Sequence, residues 1–319
     1  MKTDWKDFYN CFRKWANTKP SLWWLEGINF NYSTLNNDWV FRILVVKLRI
    51  FKPKLIMLYA DTQTYVFDGS FYGLLSAVFE SYERKHKQVT LFCREVYEPD
   101  FFSEHLEVAT DPAKAVRVWT GLKQKISPTH QKHFYSAFLS EQGELFQHLF
   151  DYAHYIFDHP KGYDSNYGHE AVLAITQMSQ KVHREKHRME AFIRFKKGNN
   201  GLFFALINPD YNVLPLITRH FKNRYADQPW IIYDEKRKYG IHYDLQSVHE
   251  VQIDFRQEQS LVPLADAISL DEKEELYTLL WKDYFKSTNI EARRNIKLHI
   301  QHVPKRYWRY LTEKEGAFW

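Results

Sequence analysis

Trp230-Ile231-Ile232-Tyr233, Gly240-Ile241-His242-Tyr243-Asp244-Leu245 and Val248-His249-Glu250-Val251-Gln252-Ile253-Asp254-Phe255 follow one another with only short connections. Their β-branched and aromatic content reads as three strands. Upstream, Met189 to Lys196 and Leu202 to Asn208 read as two more, joined by Gly198-Asn199-Asn200-Gly201, a hairpin loop that tolerates positive φ. A helix from about Leu214 to Tyr225 lies between the two groups. Asp271-Glu272 gives an acidic start to a helix reaching about Lys286, and a last helix, about Ile290 to His302, stops at Pro304. The C-terminal half is therefore expected to be an antiparallel sheet flanked by helices.

Working back toward the N-terminus, Leu58 to Phe67 is strand-like, Asp68-Gly69-Ser70 is a turn with cap-forming residues, and Phe71 to Lys85 carries apolar side chains at helical spacing. After a short strand at Val89-Thr90-Leu91-Phe92 the chain turns helical. Asp111-Pro112 and Ser127-Pro128 each start a helix with proline in the first turn, and further helices run from about Glu141 to Phe157 and Gly168 to His187. The loop Asp158 to Tyr167 is the best internal boundary. The expected class is α+β with a helical middle region, divided into residues 1–56, 57–158 and 168–313.

At 319 residues, 45% hydrophobic and 17% aromatic, the chain can bury one large core or two modest ones. Cys11 and Cys93 lie far apart without paired-ligand spacing, which suggests neither a disulfide framework nor a zinc ribbon. No apolar run approaches a membrane span and the start lacks a secretory signal pattern, so a cytoplasmic protein without a membrane partner is expected. The net charge of +5 is unevenly spread. Residues 1–56 hold ten Lys/Arg against four Asp/Glu, leaving 34 against 35 for the rest, and five of the ten tryptophans also fall in that first segment. We expect a natural start near Met57 with the upstream part an extension; the alternative is a basic, aromatic arm that contacts a partner.

Val303-Pro304-Lys305-Arg306-Tyr307-Trp308-Arg309-Tyr310-Leu311-Thr312-Glu313 interleaves cations with large aromatics. Lys and Arg displace counterions from a nucleic-acid backbone, and each aromatic face that stacks an unpaired base is worth about 1–3 kcal/mol. Aromatics beside a proline also serve simply to pin a C-terminal tail onto a core. Two more basic clusters precede it: His183 to Arg188 leading into Arg194 and Lys196-Lys197, and Arg219 to Tyr225 on a helix. The nucleic-acid-binding candidates are Arg188, Arg194, Arg219, Arg224, Trp230, Arg293, Arg294, Lys297, Lys305, Arg306, Tyr307 and Trp308. A near-neutral body binds nucleic acid only by gathering such cations on one face; otherwise they are solvated faces.

Acid/base candidates are Asp68, His187, Asp210 and His220, with Asp234 and Tyr284 behind them, yet no spacing brings two together as nucleophile and base. Asp68-Gly69-Ser70 sets a carboxylate and backbone N–H groups at a helix start, or is an ordinary capped turn. His183 and His187 lie four apart, but the acid in His-Arg-Glu-Lys-His has the wrong offset for a zinc-protease motif. No metal and no cofactor is expected.

Tyr65-Val66-Phe67-Asp68-Gly69-Ser70-Phe71-Tyr72-Gly73-Leu74-Leu75, the stretch Met189-Glu190-Ala191-Phe192-Ile193-Arg194-Phe195, and the ending from Arg293-Arg294-Asn295 through Pro304-Lys305-Arg306-Tyr307-Trp308 to Glu313 resemble a bacterial family described as DNA-repair or DNA-metabolism proteins. The resemblance spans about Thr64 to Glu313. This chain departs from it at Asn295-Ile296, where relatives often have Asn-Pro, and at Val303, where Met is common. In that family the C-terminal half, here about 150–313, is a domain of undefined function that also occurs fused to uracil-DNA glycosylase-like domains. The full-length form is associated with a radical S-adenosylmethionine (radical-SAM) protein. The resemblance thus implies a setting in DNA repair or modification. The expected role is a DNA-binding accessory that presents single-stranded or damaged DNA to a radical-SAM partner. The alternatives are an enzyme acting on a flipped base and a protein-interaction scaffold without DNA contact.

Overall fold

A computed structural model describes residues 62–99, 104–252, 270–287 and 295–314. Residues 1–56, with Met57 and the expected strand start at Leu58, lie outside the described residues, as do Arg293 and Arg294. From Thr62 onward the chain forms one compact unit.

The order of elements begins β1 (Thr62–Phe67), α1 (Phe71–Glu83), β2 (Gln88–Cys93), β3 (His105–Glu107). β1 is central and pairs in parallel with both neighbours, matching Tyr65 to Leu91 and to Leu106. Parallel pairing requires a crossover, and α1 provides the one from β1 to β2. The turn that starts α1 is built from side chains. Asp68 Oδ1 accepts from Ser70 N at 2.9 Å, its Oδ2 accepts from Thr110 Oγ1 at 2.7 Å, and Ser70 Oγ caps the helix by accepting from Gly73 N at 2.9 Å. Gly69 has φ +81°, open to glycine at no steric cost. A Cβ on Gly73 would lie 2.1 Å from Asp68 Oδ1, so the turn closes only on glycine there.

The helical middle follows as α2 (Pro112–Lys125), α3 (Pro128–Phe138), α4 (Gly143–Asp158) and α5 (Glu170–Phe192). Asp111 and Ser127 cap α2 and α3, each with proline just inside the helix. Leu145, Phe146, Leu149, Phe150, Ala153 and Ile156 form one buried stripe of α4. That helix also completes the edge of β2: Gln147 accepts from Leu91 N at 2.8 Å and donates to Val89 O at 3.0 Å. The boundary loop 158–167 is tied down through Asp164, which accepts from Ser127 N at 2.9 Å and sits 3.1 Å from His130 Nδ1. α4 and α5 thus pack into a core that runs without interruption from Tyr65 to Tyr307.

The second sheet contains β4 (Lys196–Lys197), β5 (Phe203–Ile207), β6 (Trp230–Asp234), β7 (Tyr239–Tyr243) and β8 (Val248–Val251), side by side in that order. α6 (Leu214–Arg224) crosses from β5 to β6. The α+β class holds, with the sheet in the C-terminal half and helices around it. The sheet is not antiparallel throughout, since β5 and β6 run parallel while the other pairs are antiparallel. The reason is α6: a helix between two adjacent strands returns the chain to the same end of the sheet. The three-stranded parallel sheet and β3 are further features that the sequence reading did not contain.

A second difference concerns Met189 to Lys196. The helix α5 continues to Phe192, and only Lys196–Lys197 pair as strand. Val182, Glu185 and Met189 stay buried at helical spacing, so the inward face persists beyond His187. Arg194 then closes the helix by donating from Nη1 to Ala191 O at 2.8 Å and to Ile193 O at 3.3 Å. The described chain ends with α7 (Glu274–Ser287), α8 (Ile296–His302) and 3₁₀ turns at Lys305–Tyr310 and Thr312–Lys314. Among the described residues no helix is long and apolar enough to cross a membrane.

Candidate nucleic-acid interface

Both arginines of the C-terminal motif meet acidic partners. Glu185 is 1% exposed. Its Oε1 accepts from the Tyr307 hydroxyl and from Asp210 N, and its Oε2 accepts from Arg306 Nη2 at 2.9 Å. Arg306 also pairs with Asp210 through Nη1, and Arg188 stands 3.5 Å from Glu185. One turn on, Arg309 and the Tyr310 hydroxyl both bond to Glu235. Burial, and then the bond to Glu185, raise the Tyr307 hydroxyl well above the ordinary phenol range, so it remains a donor at any working pH. Arg306 and Tyr307 therefore lock the tail to α5 and the loop after β5, and Arg309 with Tyr310 locks it to the loop after β6.

Several expected binding residues are accordingly reassigned. Tyr307 and Trp230 are each 1% exposed and offer no open ring face to a stacking base. Arg306 is balanced by two carboxylates, and Trp308 Nε1 is committed to Val303 O at 3.0 Å, with Lys305 over its ring. Asp210, a candidate acid/base, serves as the partner of Arg306. Asp68 sits in the α1 turn: burial alone would raise its carboxyl, but hydrogen bonds from Thr110 and Ser70 outweigh that and hold it below the usual carboxylate range. Asp234 is fully buried and paired with Arg237 Nη1 at 2.8 Å. Arg219 and Lys297 are exposed and His187 stands exposed on α5, all apart from the cleft described next.

A second set of residues does converge. A cleft of about 900 Å³ opens between the end of α5, α6, the β5–β6 end of the sheet and α7. His220 and Arg224, one turn apart on α6, line it together with Arg194 from the end of α5. Arg224 is exposed, lies over the Tyr225 ring at 5.7 Å and has no acidic partner among the described residues. On the opposite wall α7 presents Tyr277, Trp281 and Tyr284, at helical spacing and 53%, 40% and 59% exposed. His220 Nδ1 lies 3.8 Å from Glu190 Oε1, and Lys186 Nζ reaches the same oxygen at 2.7 Å.

One carboxylate ties the α7 wall to the end of α5. Glu313 accepts from Arg194 Nη2 at 3.0 Å and from Trp281 Nε1 at 2.9 Å, while Arg194 stacks over the Trp281 ring at 5.7 Å. Burial pushes the Glu313 carboxyl up, but these bonds and the guanidinium outweigh it and hold the group below its ordinary value. Glu190, Trp281, Tyr277 and Glu313 did not figure among the candidates. The signal for Tyr277 and Trp281 was present: with Tyr284 they place aromatics at positions i, i+4 and i+7 of α7, on a helix otherwise rich in charge. Among the described residues no three His, Cys, Asp or Glu side chains converge on a metal position.

The class these observations define is an α+β protein whose C-terminal half carries an aromatic cleft rimmed by arginines. Residues 143–313, more than half of the chain, match the family described as a domain of unknown function (DUF4130). The chain belongs to that family. Neither a curated protein nor a solved structure matches it.

Proposed function

We propose that this chain binds single-stranded DNA through the α6–α7 cleft and acts as an accessory to a DNA-repair or DNA-modifying partner of the radical-SAM type. The observation that supports DNA is that Arg224, a cation without an acidic partner among the described residues, shares one concavity with His220 and the exposed rings of Tyr277, Trp281 and Tyr284. Cations supply backbone attraction, and ring faces hold unpaired bases irrespective of sequence. The body of the protein is near neutral, so the affinity has to be local and strongly salt-dependent. The partner rests on the resemblance alone.

The test is a salt titration of binding to single- and double-stranded DNA of equal length, with the full chain and with Arg224→Ala. The expected result is a single-strand preference and a shallower salt slope in the variant. Equal affinity and slope for both proteins would remove the cleft from the function, and no DNA binding together with capture of a protein partner would favour a scaffold.

His220 beside Glu190 favours a second reading, an enzyme acting on an unstacked base with His220 as the acid/base group. Base release or alteration by the purified protein, lost in His220→Ala, would establish it.

A further inference from the structure

We propose that the cleft selects a base carrying a carbonyl group, using two buried donors that have no acceptor among the described residues. The inference rests on the DNA-binding reading above and names what the cleft recognises. Trp230 lines the cleft and is 1% exposed, yet its indole Nε1–H has no hydrogen-bond partner among the described residues. Arg194 lines the same cleft, and its Nε is likewise buried and without a partner among the described residues, although Nη1 and Nη2 are engaged by Ala191 O, Ile193 O and Glu313.

Folded proteins pair nearly all their buried donors, and one left bare costs about 1–3 kcal/mol. Two in one cleft leave room for acceptors supplied from outside. The walls specify the rest of the ligand. Tyr225, Tyr277, Trp281 and Tyr284 favour a planar ring, and Arg224 at the rim favours an anion joined to it. A nucleotide of a DNA strand has that construction. Among the bases, thymine, guanine and cytosine offer carbonyl oxygens with two lone pairs each. Adenine has none, and its N1 and N7 acceptors flank an amine that would confront the same two donors. Trp230 is thereby returned to the binding site as a reader of a base edge through its N–H, in place of the stacking role first assigned to it.

The test uses the full chain and oligonucleotides that are abasic except for one central thymine, hypoxanthine or adenine, with an all-abasic strand as reference. Binding is followed by fluorescence anisotropy at one salt concentration. Thymine and hypoxanthine are expected to bind about tenfold more tightly than adenine, in line with one well-formed polar base contact. Trp230→Phe keeps the ring and removes the donor; Arg194→Lys keeps the charge and removes Nε. Each variant is expected to lose the carbonyl preference, with a thermal melt confirming the fold, and Trp230→Phe in addition keeps wild-type affinity for the abasic strand. Equal binding of thymine and adenine strands by the wild-type protein overturns the inference and leaves DNA binding standing. Preference retained in the folded variants also overturns it. Failure to bind any strand sinks both readings.

Discussion

Glu185 carries a charge into the interior, and the residues around it are chosen to compensate. Removing it in Glu185→Ala strands the buried Tyr307 hydroxyl and leaves Arg306 to Asp210 alone, and a buried group left without its hydrogen-bond partner costs about 1–3 kcal/mol; urea unfolding followed by circular dichroism checks this. Gly73→Ala is a second expected failure. The new Cβ displaces Asp68, the bonds to Ser70 and Thr110 are lost, and a drop of about 1–3 kcal/mol should appear in the same assay. The two positions also differ in how far the sequence revealed them. Strand, turn and cap around Asp68 are local, and neighbouring residues sufficed to read them. The partner of Arg306 and Tyr307 lies more than a hundred residues upstream, so a motif with the composition of a ligand site could not be told from a tail anchor. The buried state of Trp230 was hidden for the same reason: a ring on a strand shows its face only once the opposing helix is in place.

At the scale of elements, Glu313 bridges α7 to the end of α5, accepting from Trp281 with one oxygen and from Arg194 with the other. Its carboxyl is depressed in the folded state from an ordinary value of 4.5, so this docking is complete above that pH and fades as pH falls through the lower folded value. The indole N–H resonance of Trp281 should therefore shift on acidification below about pH 4.5. In Glu313→Gln the shift should vanish, because the amide does not titrate there. Helix and strand boundaries followed the sequence wherever a cap or a proline marked them, as at Asp111-Pro112 and Ser127-Pro128. They failed at 189–196, where alternating and helical periods share the same apolar residues and only the burial of Glu185 and Met189 decides between them. The parallel pairing of β5 with β6 was within reach once a helix was placed between those strands.

For the whole molecule, the question is which cations remain to meet a polyanion. Arg224→Ala should flatten the slope of log affinity against log salt by about one, while Arg306→Ala should leave that slope alone and lower the melting temperature instead. The contrast separates an exposed charge from a structural one within a single titration. The α+β class was legible because it depends on the succession of elements, whereas the cleft was only half legible because it depends on which helix faces which sheet. The continuous core bears on how this architecture travels between proteins. The family match begins at residue 143, the first residue of α4, yet that helix buries Phe146 against Phe67 and lends Gln147 to the edge of β2. A gene fragment for 143–313 alone would leave that greasy stripe bare and a glutamine without its strand, and the fragment should aggregate. Wherever this module is joined to a different neighbour, that neighbour inherits the task of covering α4, so the seam at 143 is a demand on the adjoining sequence rather than a place to cut.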